Sequence, residues 1–233
     1  MAASLNGPDR LVIYASNTPD RANFTSVIKC QKIEYDYDTQ TADGLIELIE
    51  CAVANFGLFR SIAFACTAGK DATAAQGYKW ALTASLIVGD ESALADKEHQ
   101  EVQQVRSVMQ ALGRAVVPEG RVDLLSCELL GTPAGKAFFE LIQQETATHF
   151  AASDDVTANV RSGGDWIMES DGVDIQPLYF HDGVEVYDGH FGFTQRVKAA
   201  GREWGKGCQY AVHKLNGMPD RHIRINDPKC MVR

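Results

Sequence analysis

Short apolar runs alternate with amphipathic helical stretches through the first two thirds of the chain, and this rhythm restricts the fold more than any other feature. Leu11 to Ala15 reads LVIYA between Pro8 and the polar SNTPDR, the pattern of a strand covered on both faces. Leu45, Ile46, Ile49, Ala52, Val53 and Phe56 then recur at helical spacing, with Asp43 as the expected cap and Gly57 as the stop. SIAFAC (61–66) and VDLLSC (122–127) repeat the strand pattern, and HFAAS (149–153) adds a fourth. Between them lie a helix marked by Val102, Val105, Met109 and Leu112, with Gly113 near its end, and another carrying Ala134, Ala137, Phe138, Leu141 and Ile142 behind Pro133. Such alternation predicts an α/β fold of three layers, a mostly parallel sheet with helices on both faces. From Gly163 the pattern changes, and the Asp171-Gly172 turn predicts a hairpin at the sheet's edge.

Two units are expected: a body over residues 1–180 and a basic, aromatic-containing extension over 181–233. Residues 195–233 hold nine basic against three acidic side chains, a net +6, which leaves 13 basic and 28 acidic residues, a net −15, for the remainder. Opposite signs of this size imply that the tail folds back on the body or seeks an acidic partner. The longest apolar stretch, Trp80 to Val88, is interrupted by Thr83 and Ser85 and falls far short of the roughly 20 residues of a membrane span. The opening MAASLNGPDR lacks the basic start and apolar block of a secretory signal. Cys30, Cys51, Cys66, Cys127, Cys208 and Cys230 are widely spaced and read as reduced thiols rather than a disulfide framework. These features together predict a soluble intracellular protein in a reducing compartment.

Familiar chemistries are mostly excluded. TAGKDA (67–72) has a Gly-Lys pair without the flanking residues of a phosphate loop. No Cys-x-x-Cys or His-Glu-x-x-His occurs, so His213 and His222 read as surface residues. Asp36, Asp38 and Asp43 lack the Gly and Glu of a calcium loop, and no Gly-x-Ser-x-Gly is present. No cofactor and no metal are expected. What remains is positional: Cys66 and Cys127 each close a predicted parallel strand, where open α/β sheets place their ligands. The competing and simpler reading makes both of them small buried hydrophobes.

The segment from Asp123 to Ser170 resembles a family of uncharacterised domains found in very large bacterial surface and adhesin-like proteins. The features shared in order are a strand ending in Cys127, a helix of the AGxAFxxxL kind over Ala134 to Leu141, AAS and Asp over Ala151 to Asp154, then Thr157, and GGDW over Gly163 to Trp166. LVIYAS, DGLIELIECA and SIAFACTAG extend the likeness to roughly residues 10–180. That family is similar to a branch of the caspase-like cysteine peptidases, in which His-Gly after one strand and Cys after the next form a catalytic dyad. The resemblance puts Cys127 at the nucleophile position, but Cys66-Thr67 stands where the His-Gly belongs. A thiol without an adjacent imidazole stays protonated near neutral pH. His99 lies in a polar helix, while His149, His181 and His190 would need a rearranged architecture to approach.

The resemblance therefore implies a catalytically inactive caspase-like domain that serves as an interaction or structural subunit. Arg196, Lys198, Arg202, Trp204, Lys206, Arg221 and Arg224 are the expected contacts to a protein partner with an acidic surface. An enzymatic alternative keeps Cys127 as a peptidase nucleophile or as a redox partner of Cys66. Nucleic acid ranks last, because the body's acidity opposes phosphate binding.

Overall fold

The computed structural model describes residues 9–70, 78–89, 91–192 and 223–224. Its centre is a six-stranded parallel sheet in the order β11-β2-β1-β3-β7-β8. The strands are β1 (Arg10–Ala15), β2 (Gln31–Tyr35), β3 (Phe59–Ala65), β7 (Val116–Leu125), β8 (His149–Ala152) and β11 (Ile223–Arg224). Leu11 to Tyr14 and Ile62 to Phe64 are completely buried, as near-continuous apolar strands require when both faces are covered. β2 is different, because QKIEY alternates apolar and charged residues and its Lys32 and Glu34 are half-buried.

One face of the sheet packs against α2 (Ala42–Phe56), α4 (Gln100–Arg114) and α5 (Pro133–Thr146), where Leu45, Val105, Leu112 and Phe138 meet Leu11, Ile13, Phe64 and Leu124. The other is covered by α1 (Arg21–Val27), α6 (Gln176–Tyr179) and the chain that follows, where Phe24, Tyr179, Tyr187 and Phe191 meet Val12, Tyr14, Ala65 and Leu125. The three-layer α/β architecture read from the alternation is thus the observed one. Thr41, not Asp43, caps α2, its hydroxyl accepting the Gly44 N–H at 3.1 Å. Asp43 sits one residue inside the helix, where its charge favours the positive end of the dipole.

A small antiparallel sheet of β4 (Thr67–Lys70), β5 (Tyr78–Thr83) and β6 (Leu86–Val88) adds Trp80 and Leu82 to the first face. The short helix α3 (Glu91–Ala95) follows it. The expected hairpin is present as β9 (Ile167–Met168) and β10 (Val173–Asp174), with Gly172 at φ +71° in its turn. It forms its own two-stranded sheet beside the β8 edge, where Ser170 N donates to Ala152 O at 3.2 Å.

Residue 180 falls inside the second core. Val184, Tyr187 and Phe191 are buried there, and the Phe24 ring lies 5.2 Å from Tyr187 and 5.4 Å from Phe191. The packed body therefore continues at least to Gly192, and β11 returns to the outer edge of β2 with Arg224 in register with Glu34. Arg196, Lys198, Arg202, Trp204, Lys206 and Arg221 lie outside the described residues. No helix among the described residues is long and apolar enough to cross a membrane. Cys30, Cys66 and Cys127 carry free thiols. Cys51, on α2, is disulfide-bonded, so the expectation of reduced cysteines does not hold for it.

Candidate functional site

In a parallel sheet all carboxyl ends lie along one edge, and the crevice outside that edge is deepest where successive connections diverge. Here β2 lies on one side of β1 and β3 on the other, so the divergence falls beside β1. Both sequence-predicted thiols follow strands that end at this edge. Cys66 comes directly after β3 and its N–H donates to Leu125 O at 3.1 Å, while Cys127 stands two residues beyond β7.

The structure does not bring these thiols together. Side chains alternate between the faces of a sheet, and Cys66 belongs to the core with Phe64 and Trp80 whereas Cys127 belongs to the core with Leu125 and Phe191. Trp80 Nε1 donates to Cys66 Sγ at 3.1 Å. Burial pushes the Cys66 thiol up to about 12, outweighing the hydrogen bond from Trp80.

Cys127 is sealed in a different way. The segment His190–Gly192 crosses above it, and Phe191 O accepts from both Ala68 N (3.0 Å) and Cys127 N (3.2 Å), tying the segment to the two strand ends. The Cys127 Sγ–H donates to Thr157 O at 3.8 Å, and the residue is 2% exposed. Burial pushes this thiol too up to about 12, against the lowering effect of the Thr157 and Phe191 backbone hydrogen bonds.

Of the four described histidines, His99 pairs with Glu101 at 2.8 Å and His149 with Asp171 at 2.7 Å, and His181 precedes an exposed turn. His190 is the one that approaches the thiol, which the sequence did not lead us to expect. A Cβ placed on Gly192 would meet Cys127 Sγ and His190 Nδ1 each at 3.3 Å, so the two groups flank the same glycine. They are not hydrogen-bonded to each other: His190 Nδ1 accepts the Gly192 N–H at 3.1 Å, and the thiol is directed at Thr157. What carries His190 here is its bridge to Ala158 and the Phe191 N–H bond to Thr157 O, pairings between loops that leave no periodicity in a sequence.

Beside His190 an open cleft of about 480 Å³ is lined by Pro19, Asp20, Asn23, Asp188 and Gly189 as well. Asp20 adopts the left-handed conformation (φ 49°, ψ 40°), and its carboxylate accepts from Asn23 Nδ2 at 3.0 and 3.1 Å and from Asp188 N at 3.2 Å. Elsewhere, Asp155, Asp165 and Glu169 bring carboxylate oxygens within 4.8 Å of one another. Oxygen donors of this kind suit a hard divalent cation, but two of the three residues are exposed, and repulsion between such groups is readily relieved by water.

Comparison with known proteins gives weak structural matches and a family. A putative dehydrogenase from Burkholderia cenocepacia, solved with bound NADP, aligns with 65% of this chain and 69% of its own at 14% identity and a TM-score of 0.35. A short-chain dehydrogenase/reductase from Serratia marcescens aligns with 62% of this chain and 71% of its own at 13% identity and the same TM-score. Likeness at this level carries no argument about activity or cofactor. No curated protein matches the sequence. Residues 68–190, more than half of the chain, match a family described as a domain of unknown function, DUF4347. That span runs from the strand after Cys66 to His190 and includes Cys127, so the chain belongs to the DUF4347 family.

Proposed function

We propose that the chain is a catalytically inactive caspase-like α/β domain serving as a protein-interaction or structural subunit of a larger assembly. The observation that supports this most directly is the state of Cys127: a buried, protonated thiol whose hydrogen goes to a backbone carbonyl rather than to a base. A cysteine nucleophile acts as the thiolate, which needs a neighbouring imidazolium or an electropositive, partly open setting. On the adjacent strand the position that would carry the base holds Cys66, turned to the other face of the sheet. In this reading the basic extension, through Arg196, Lys198, Arg202, Trp204, Lys206, Arg221 and Arg224, contacts an acidic protein surface. An intracellular setting belongs to the same reading, supported by the free thiols of Cys30, Cys66 and Cys127 and weighed against the disulfide at Cys51.

One observation favours a second reading, a cysteine-dependent peptidase with an unorthodox base: His190 and Cys127 flank the same glycine, and a shift of the 190–192 segment would let them meet. Alkylation of the full chain by iodoacetamide, followed site by site by mass spectrometry between about pH 5 and 9, separates the two. Inactivity requires that Cys127 react no faster than a cysteine in an unstructured peptide and that His190→Ala leave its rate unchanged. Fast labelling near neutral pH that His190→Ala abolishes would establish the peptidase reading instead.

A further inference from the structure

Phe191 is held by its backbone from both sides. Its carbonyl oxygen accepts the Ala68 N–H at 3.0 Å and the Cys127 N–H at 3.2 Å, and its own N–H donates to Thr157 O at 3.4 Å. A carbonyl oxygen has two lone pairs, and here an N–H from β4 and one from just beyond β7 use both. Beside it, His190 bridges Ala158 in antiparallel fashion. Main-chain bonds on each side of a segment, with a pocket for its side chain, are the means by which sheets take up peptide strands.

The side-chain contacts of this segment are equally specific. The Phe191 ring is 1% exposed and packs between Phe24 and Tyr187, whose ring centroids lie 5.4 and 6.0 Å from it. The next position suits glycine, because a Cβ on Gly192 would press on Cys127 Cβ, Cys127 Sγ and His190 Nδ1, each at 3.3 Å. An aromatic residue followed by glycine is therefore what the surroundings select. Residues 191 and 192 belong to no helix or strand, and the +6 stretch of residues 195–233 begins three residues beyond Gly192. A partner that engages that stretch acts directly on this segment.

We propose that the carboxyl edge of the sheet at β3 and β7 carries a peptide-binding site, which residues 190–192 fill as an internal ligand and which, when they withdraw, takes an aromatic–glycine pair from an extended segment of a partner protein. The Ala68 and Cys127 N–H groups hold the peptide carbonyl, Thr157 O holds the N–H of the same residue, and Phe24 and Tyr187 hold the ring. Withdrawal also uncovers Cys127, which then meets solvent as an ordinary thiol. The inference rests on the reading of the chain as an interaction subunit and gives that role a site on the body besides the basic extension.

A first test needs no substitution. In the parent chain, hydrogen exchange followed by NMR is expected to give the Ala68 and Cys127 amides one common protection factor, because a single carbonyl releases both. That factor is expected to lie at least about tenfold below that of the Cys66 amide, which stays bonded to Leu125 O within the sheet. Unequal protection of the two amides, or protection as high as that of Cys66, would overturn the proposal, because the segment would then not leave as a unit or would open only with the fold.

A second test removes the ring of the internal ligand from the full chain. In Phe191→Ala, iodoacetamide is expected to label Cys127 at least about tenfold faster than in the parent, while Cys66, in the other core, stays unlabelled. A blocked peptide with the sequence of residues 188–194, at millimolar concentration, is expected to restore the slow rate, and the same peptide carrying Phe191→Ala or Gly192→Val is not. A Cys127 rate unchanged by Phe191→Ala, labelling of Cys66 together with Cys127, or equal protection by the three peptides would refute the site. So would a parent chain that dimerises and loses the dimer on Phe191→Ala, the occupant then being the same segment of a second copy. Labelling of the uncovered Cys127 faster than that of a cysteine in an unstructured peptide, or scission between Phe191 and Gly192, would overturn the inactive reading and leave the peptide site standing.

Discussion

Asp123, on β7, has no exposed surface and lies within a carboxylate–guanidinium–phenol cluster. Arg121 Nε donates to its two oxygens at 2.9 and 3.1 Å, the rest of the guanidinium reinforces the pair, and Tyr179 Oη–H donates to Oδ2 at 2.5 Å. Burial raises the Asp123 carboxyl, and the Arg121 and Tyr179 contacts act against that rise. Arg121 also reaches Asp171 at 3.1 Å, so the cluster ties the hairpin turn and α6 to the sheet. Removing one donor from a buried carboxylate forfeits a charge-assisted hydrogen bond, about 1.5–3 kcal/mol. Tyr179→Phe is therefore expected to lower the unfolding free energy by that amount, read as a lower urea midpoint at an unchanged m-value, and an unshifted midpoint would mean that water replaces the phenol. VDLLSC was legible as a strand, but of the two donors to its one charge only Arg121 is local; the Tyr179 hydroxyl comes from 56 residues downstream, beyond any local pattern. The same holds at the candidate site. Cys66 and Cys127 were readable as strand ends, whereas the approach of His190 depends on loop pairings that carry no periodicity.

Helices were legible in proportion to their length. α2, α4 and α5, at 15, 15 and 14 residues, show enough apolar repeats to be read directly; α1, with seven residues and two buried side chains, does not. β2 was missed for a related reason, since its charged outward positions interrupt the apolar run that marked its neighbours. Caps are fixed by chemistry as local as the stripes, and in both α2 and α5 a threonine performs the task. Thr132 Oγ1 accepts the Gly135 N–H at 3.0 Å, and Pro133 occupies the first turn, where its missing N–H costs nothing. Gly135 is required for a separate reason, because a Cβ there would lie 1.9 Å from Leu129 O. Thr132→Ala is expected to destabilise the fold by about 1 kcal/mol through the lost cap, measured as a shift in chemical unfolding. Thr132→Ser, which keeps the acceptor, should restore most of it; failure of serine to do so would assign the loss to the methyl group's packing instead.

For the molecule as a whole, the buried thiols make stability a function of alkalinity. Cys30, Cys66 and Cys127 all rise from an ordinary value of 9.0 to about 12, each chiefly because burial disfavours the thiolate. A folded-state value above the unfolded one means that the native protein holds these protons more tightly than the unfolded chain. Their contribution is complete below pH 9 and is lost as pH climbs toward 12. Each such thiol adds a slope of about 1.4 kcal/mol per pH unit within that window, and Tyr35 and Tyr179, raised by burial, act in the same direction above pH 10. The urea midpoint is therefore expected to hold level from neutrality to about pH 9 and to fall steeply beyond it. Cys127→Ala should start from a lower midpoint, because it empties space beneath Gly192, yet fall less steeply, because one proton fewer separates the two states. A parent and variant of equal slope would mean that Cys127 already ionises in the folded protein, and the protonated, sealed thiol on which the inactive reading depends would have to be given up.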